Sequence, residues 1–197
     1  MDRFGVEREW KEIVDVEQFT TDAMIERLPP EVGGRILLRD VYGLKNLKGL
    51  PRSTRHEQLE IRHCDIKTLE GIPSDTDDVY VALSRIKSLK GLPKDTMTSL
   101  AIGSEYLESI DHCPREITDW VEFAVSITSF ESVKTLPREI GNGTLRFSIT
   151  NVDAQPDLQY GKNSKIDAIV DQIAALNQSY ITRVMANGKK YATVKGK

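Results

Sequence analysis

Residues 59–73 read LEIRHCDIKTLEGIP, and residues 79–93 read VYVALSRIKSLKGLP. Laid over one another they share aliphatic residues at Leu59/Val79, Ile61/Val81, Ile66/Ile86, Leu69/Leu89 and Ile72/Leu92, and each ends in glycine, aliphatic, proline. The frame extends in both directions. An aliphatic residue or cysteine precedes proline at Leu28-Pro29, Leu50-Pro51, Ile72-Pro73, Leu92-Pro93, Cys113-Pro114 and Leu136-Pro137, at spacings of 22, 22, 20, 21 and 23 residues. Six of the eight prolines therefore stand on one lattice. Self-similarity at a fixed period in this range is the mark of a solenoid.

Related copies run over 36–51 (ILLRDVYGLKNLKGLP, with one inserted residue), 100–110 (LAIGSEYLESI) and 123–137 (FAVSITSFESVKTLP), with a truncated copy, LRFSITNV, at 145–152. In Leu59-Glu60-Ile61 alternate side chains leave opposite faces of a strand, so Leu59 and Ile61 point inward. One such unit has too little core to stand alone, and stacking buries its aliphatics against the neighbouring copies. The strands then form a parallel sheet on one side. The SLKGLP-type segments return the chain along the other, with Gly49, Gly71 and Gly91 supplying the bend and proline tolerated off the ladder.

This pattern resembles the leucine-rich repeat family, whose signature is LxxLxLxxNxL. Leu59, Ile61, Cys64 and Ile66 fall on its L, L, N/C and L positions, as do Val79, Val81, Ser84 and Ile86. The short period and the aliphatic–proline step are similar to the compact repeats of bacterial leucine-rich effectors. The resemblance spans about 28–153 and implies an α/β solenoid: a leucine-rich repeat right-handed superhelix with a parallel β-sheet on its concave face and helical caps. It departs from the family where Cys64, Ser84, Glu105, Thr128 and Thr150 stand at the turn asparagine. A hydroxyl or thiol partly substitutes there, whereas Glu105 is too costly to bury and must reach water.

The ends read as caps, because a solenoid exposes its terminal core unless something covers it. The domain organisation expected is a cap over 1–27, a solenoid of about six repeats over 28–153, and a second cap with a helix and basic tail over 154–197. Val6, Trp10, Ile13 and Val14 recur at helical spacing, with Trp10 as a lid, and TTDAMIERL (20–28) reads as a short helix. Ile166, Ile169, Val170, Ile173 and Leu176 share one helical face, with Ser164 as N-cap. Tyr180, Ile181, Thr182 and Val184 are strand formers, which favours a hairpin about Asn187-Gly188 over a continued helix.

The chain of 197 residues carries a net charge of −3, unevenly spread. Residues 1–27 hold 4 basic and 8 acidic side chains, residues 28–153 hold 16 and 19, and the tail from 154 holds 7 and 3. A nucleic-acid binder more often has a basic domain than a basic tail, so the tail is expected to be a solvated, frayed terminus. Two cysteines are too few for a disulfide scaffold, no secretory signal or membrane-length apolar run stands out, and the expected location is the cytosol.

Chemistry is not expected. His63-Cys64 and His112-Cys113 fall at different phases of the repeat without metal-ligand spacing, and both cysteines read as core. Asp75, Asp77 and Asp78 lack the glycine and distal glutamate of a calcium loop. No nucleophile, phosphate-loop or metalloprotease motif is present, so no catalytic residue, cofactor or metal is assigned.

Alternation names the outward face. Its columns are expected to read Leu37, Glu60, Tyr80, Ala101, Ala124, Arg146; then Arg39, Arg62, Ala82, Gly103, Ser126, Ser148; then Asp40, His63, Leu83, Ser104, Ile127, Ile149. Apolar residues beside small ones, ringed by arginines, suit a protein partner. The candidate binding residues are Arg39, Arg62, His63, Tyr80, Leu83, Arg85, Tyr106, Ile127, Arg146 and Ile149. The resemblance implies a non-catalytic protein-protein interaction module, an adaptor or inhibitor of bacterial or phage kind, holding an unidentified protein on that sheet. Neither a membrane nor nucleic acid is the expected partner. The alternative is a nucleic-acid-associated protein using the basic C-terminal tail.

Overall fold

The computed structural model describes residues 13–17, 34–44, 46–54, 57–151, 164–176 and 178–196. Within these, the apolar residues two apart in each copy fall on strands: β1 Ile13–Glu17, β2 Arg35–Arg39, β3 Gln58–Arg62, β4 Asp78–Ala82, β5 Thr96–Ser104, β6 Glu116–Ser126 and β8 Thr144–Thr150, with a two-residue strand β7 Glu139–Ile140 between the last two. Helix α1 (Ser164–Ala175) follows, then β9 Ile181–Ala186 and β10 Lys189–Val194. The ten strands form one sheet in the order β1-β2-β3-β4-β5-β6-β8-β9-β10, with β7 beside β6. Every pairing is parallel except β9 with β10. The result is a mostly parallel β-solenoid of about five turns with little helix.

Register is what makes the repeat a core. Ile36, Leu59, Val79, Leu100, Val121 and Leu145 are successive partners across the ladder, as are Leu38, Ile61, Val81, Ile102, Phe123 and Phe147. All twelve are buried. Burying an aliphatic side chain of this size is worth roughly 1.5–3 kcal/mol, and only stacking provides the cover. The return segments stack too: Leu47 N–H donates to Glu70 O at 2.8 Å and Leu69 N–H to Lys90 O at 3.0 Å. Gly71 and Gly91, at φ +97° and +109°, press on the preceding coil, where a Cβ would sit 2.3 Å from Lys48 N and 2.2 Å from Leu69 O. No other residue fits at either point.

Small polar side chains tie the turns that follow the strands. Ser84 Oγ donates to Ala82 O and accepts from Cys64 N–H, both at 3.1 Å. Ser104 Oγ lies 2.8 Å from both Ser84 O and Ile86 O. Asn151 Nδ2 donates to Ser126 Oγ at 3.0 Å. Ser84, Ser104 and Ser126 are all buried, whereas Glu105 is exposed, as expected of a carboxylate there, and Thr128 is exposed as well.

The last coils differ from expectation in an instructive way. Two extra residues lie between the strand and the Leu136-Pro137 step, so Val121, not Phe123, is the partner of Leu100. Ile127 and Ile149, expected on the outward face, are 0% and 1% exposed. Ile127 follows the strand end inward under the inserted turn, and Ile149 has the inward parity of Leu145 and Phe147. The rings of Phe123, Phe130 and Phe147 fill this end, with centroids 6.2 and 5.3 Å apart.

The sheet runs past 28–153 at both ends. Residues 13–17, expected to be helical, are strand β1 paired in parallel with β2. Val6, Trp10, the 20–28 segment and the Leu28-Pro29 step lie outside the described residues. At the other end β9 adds a parallel strand and β10 turns back on it through Asn187-Gly188, at φ +45° and +76°, the hairpin geometry expected of that dipeptide. The basic terminus is therefore not frayed: Val194 is buried and Gly196 N–H donates to Tyr180 O at 3.1 Å. Exposed Lys189 and Lys190 discourage edge pairing. Helix α1 buries Ile166, Ile169 and Ile173, and Gln172 Oε1 accepts from Val133 N–H at 2.8 Å.

Candidate functional site

Three successive coils leave the sheet through a residue in the left-handed region: Asp40, His63 and Leu83, at φ +54°, +51° and +51°. Aspartate and histidine enter this region readily, whereas leucine does so at a cost of about 1 kcal/mol or more. The ladder holds the bend, with Asp40 N–H donating to Arg62 O and His63 N–H to Ala82 O, each at 3.1 Å. The side chains are thereby thrown onto a rim at the C-terminal ends of the strands. Leu83 is 69% exposed.

Below this rim lies a groove of about 540 Å³. Its floor is cut from small residues, Ala82, Gly103 and Ala124, with Ser84 and Ser104 beside them. Its walls carry Tyr42, Leu83 and Tyr106, which are 52%, 69% and 46% exposed. Among the described residues these are three of the four large hydrophobic side chains left in water. Charged neighbours steer them: the Arg85 guanidinium sits 5.7 Å from the Tyr106 ring centre and its Nε is 3.3 Å from Asp65 Oδ1. His63 Nδ1 is 3.4 Å from Asp40 Oδ1.

Farther along the sheet, Tyr80 is half-buried with Arg62 over its ring at 5.5 Å. Arg62 also pairs with Glu60, whose carboxylate lies between Arg62 and Arg35 and is 2% exposed although its parity is outward. Leu37, on the same column, is likewise buried. Arg39 is half-buried at the end of β2. Arg146 is exposed, 3.3 Å from Glu122, and lines a separate depression with Trp120 and Arg183.

The expected site residues thus divide. His63, Leu83, Arg85 and Tyr106 line the groove, with Arg62 and Tyr80 on the adjoining sheet. Arg39 and Arg146 stand apart from it, and Ile127 and Ile149 belong to the core. The columns also shift at β6: Glu122 follows Ala101 and Ala124 follows Gly103. Tyr42, Trp120 and Glu122 were missed. Tyr42 was legible, since Tyr42, Asp65, Arg85 and Tyr106 each follow the first inward aliphatic of their coil by six positions. Trp120 and Glu122 were hidden by the two-residue insertion.

The cysteines are structural. Burial pushes the Cys64 thiol up to about 11, with backbone hydrogen bonds at Val41 and Arg62 opposing. Burial likewise raises Cys113. Asp75 ties its loop to the preceding coil, accepting from Thr54 N–H at 2.9 Å. Among the described residues no group of three or more His, Cys, Asp or Glu side chains is placed to hold a metal ion, and no helix is long and apolar enough to cross a membrane. Compared with known proteins, the chain matches no family model, no curated protein and no solved structure.

Proposed function

We propose that this chain is a non-catalytic interaction module of the leucine-rich repeat kind, a cytosolic adaptor or inhibitor that holds a protein partner at the rim groove. The observation that carries the reading is the gathering of Tyr42, Leu83 and Tyr106 around one concavity with a small-residue floor. Apolar side chains in water are unremarkable singly, but clustered beside arginines they match the anchors and rim of a protein interface. A floor of alanine and glycine leaves room for a partner's side chain to enter. Support from sequence is the repeat register itself, which ranks such a chain with solenoids that bind along an extended face.

The test uses immobilised full-length chain and its native host lysate, with captured proteins compared between wild type, Tyr106→Ser and an equally conservative change on the hairpin, Ile181→Ser. A band retained by wild type and Ile181→Ser but lost with Tyr106→Ser supports the groove. A band held equally by all three rejects it.

A further inference from the structure

We propose that the proline flank carries a second interaction surface, a basic groove that receives an extended acidic segment of another protein. The residue after each proline creates it. Lys94, Arg115 and Arg138 follow Pro93, Pro114 and Pro137 and stack on successive coils: Arg115 N–H donates to Lys94 O at 3.0 Å and Arg138 N–H to Arg115 O at 2.6 Å. Adjacent rungs of a parallel ladder are about 4.8 Å apart. All three side chains are exposed, and among the described residues none is engaged in an ion pair. A file of three unneutralised cations is self-repulsive, and an anionic occupant relieves that repulsion.

The three cations line a groove of about 860 Å³ together with Lys48, Lys90 and His112. Among the described residues Glu70 is the one carboxylate on its lining. That carboxylate is already neutralised, with Lys90 Nζ 2.6 Å from its Oε1 and its pKa lowered chiefly by that hydrogen bond. The acidic residues that follow each rung, Asp95, Glu116 and Glu139, do not line the groove. Positive charge is thus concentrated on this flank of a chain whose net charge is −3.

The occupant follows from what lies between the cations. Leu92, Cys113 and Leu136 contribute apolar lining, with Cys113 and Leu136 half-buried. Among the described residues no aromatic ring lines the groove, so unstacked bases find no platform on them. An extended peptide presents same-side carboxylates about 6.6 Å apart, within reach of long basic side chains, and its aliphatic residues meet the apolar strip. An acidic peptide fits both features; a nucleic acid fits only the charge.

The probe is a fluorescein-labelled peptide of repeating Asp-Glu-Leu, about twelve residues long, titrated with the full chain by anisotropy at about 50 mM salt, where screening is modest. Wild type is expected to bind saturably. Lys94→Gln/Arg115→Gln/Arg138→Gln is expected to lose about tenfold or more in affinity. Arg183→Gln/Lys189→Gln/Lys190→Gln, with the same loss of charge on the hairpin, is expected to bind within about twofold of wild type. Leu83→Asn, which alters the rim, is expected to leave the peptide affinity unchanged, so the two surfaces are judged separately. If the first triple variant does not melt cooperatively, Arg115→Gln alone decides, with an expected loss of about threefold. Equal weakening in both triple variants, no saturable binding by wild type, or tighter binding of an oligothymidylate of matching length would overturn the proposal.

Discussion

Arg85 lies between Asp65 and Tyr106, its guanidinium 5.7 Å from the tyrosine ring centre and its Nε 3.3 Å from the aspartate. The three residues occupy one position in three successive coils, since Leu59, Val79 and Leu100 are register partners and each precedes its member by six. A solenoid thus aligns unlike side chains as strictly as it aligns its core. Here the alignment orients an exposed aromatic ring. Both contacts are wet, so Arg85→Ala should change unfolding free energy by no more than about 0.5 kcal/mol. Partner capture should nevertheless drop several-fold, because Tyr106 loses the neighbour that limits its rotamers. A large fall in melting temperature would show instead that the arginine is structural.

Leu83 is the clearest conflict between local preference and position. The two equivalent residues one and two coils earlier, His63 and Asp40, are types that enter the left-handed region easily, and leucine is not. Backbone strain kept at an exposed position points to use of the side chain. Leu83→Asn should therefore raise stability in urea by about 1 kcal/mol, the order of the left-handed penalty relieved, while abolishing capture. A variant that is both less stable and still active would remove Leu83 from the site.

Most of the fold was legible because burial and period coincide. Leu59, Ile61, Ile66 and Leu69 repeat at spacings that admit one stacking register, and the paired strands follow from it. The site was legible only where the period held. His63, Leu83, Arg85 and Tyr106 come from coils with steps of 20 to 22 residues. In the next coil the step is 23, and aligning backward from Pro137 placed Phe123 where Val121 stands. A two-residue shift preserves strand parity, so inward residues still looked inward and nothing local betrayed the insertion. Ile127 fell beyond the strand, where alternation no longer governs direction. The N-terminal strand escaped for another reason: Ile13, Val14 and Val16 are β-branched, yet the apolar spacing from Val6 through Trp10 also fits a helix.

Ile127 and Leu83 now make a paired test of that correction. Ile127 is fully buried at the foot of the phenylalanine cluster, and its truncation leaves a cavity. Ile127→Ala should cost about 2–5 kcal/mol in urea or thermal unfolding, against near-neutrality for Leu83→Ala. If Ile127→Ala proved as mild as a surface change while capture fell, the residue would return to the outward face.

Cys64 gives the fold a dependence on alkaline pH. Its Sγ donates to Arg62 O at 3.1 Å in a site that burial keeps dry, and its pKa is pushed up to about 11 from 9.0. Below pH 9 the thiol is protonated whether the chain is folded or not, so it contributes no slope. Between about 9 and about 11 the unfolded chain releases the proton and the folded chain retains it. Unfolding is then favoured as pH rises, by at most about 1.4 kcal/mol per pH unit from this group. Lysines titrate over the same range, so the informative quantity is the difference from Cys64→Ser, whose hydroxyl keeps a donor there without ionising. Urea midpoints measured from pH 8 to 11 should fall less steeply in Cys64→Ser than in wild type, with the two curves diverging above pH 9. Parallel curves would mean that the thiol ionises as easily in the fold as in the open chain, and that the turn ladder at Cys64 and Ser84 is open to water.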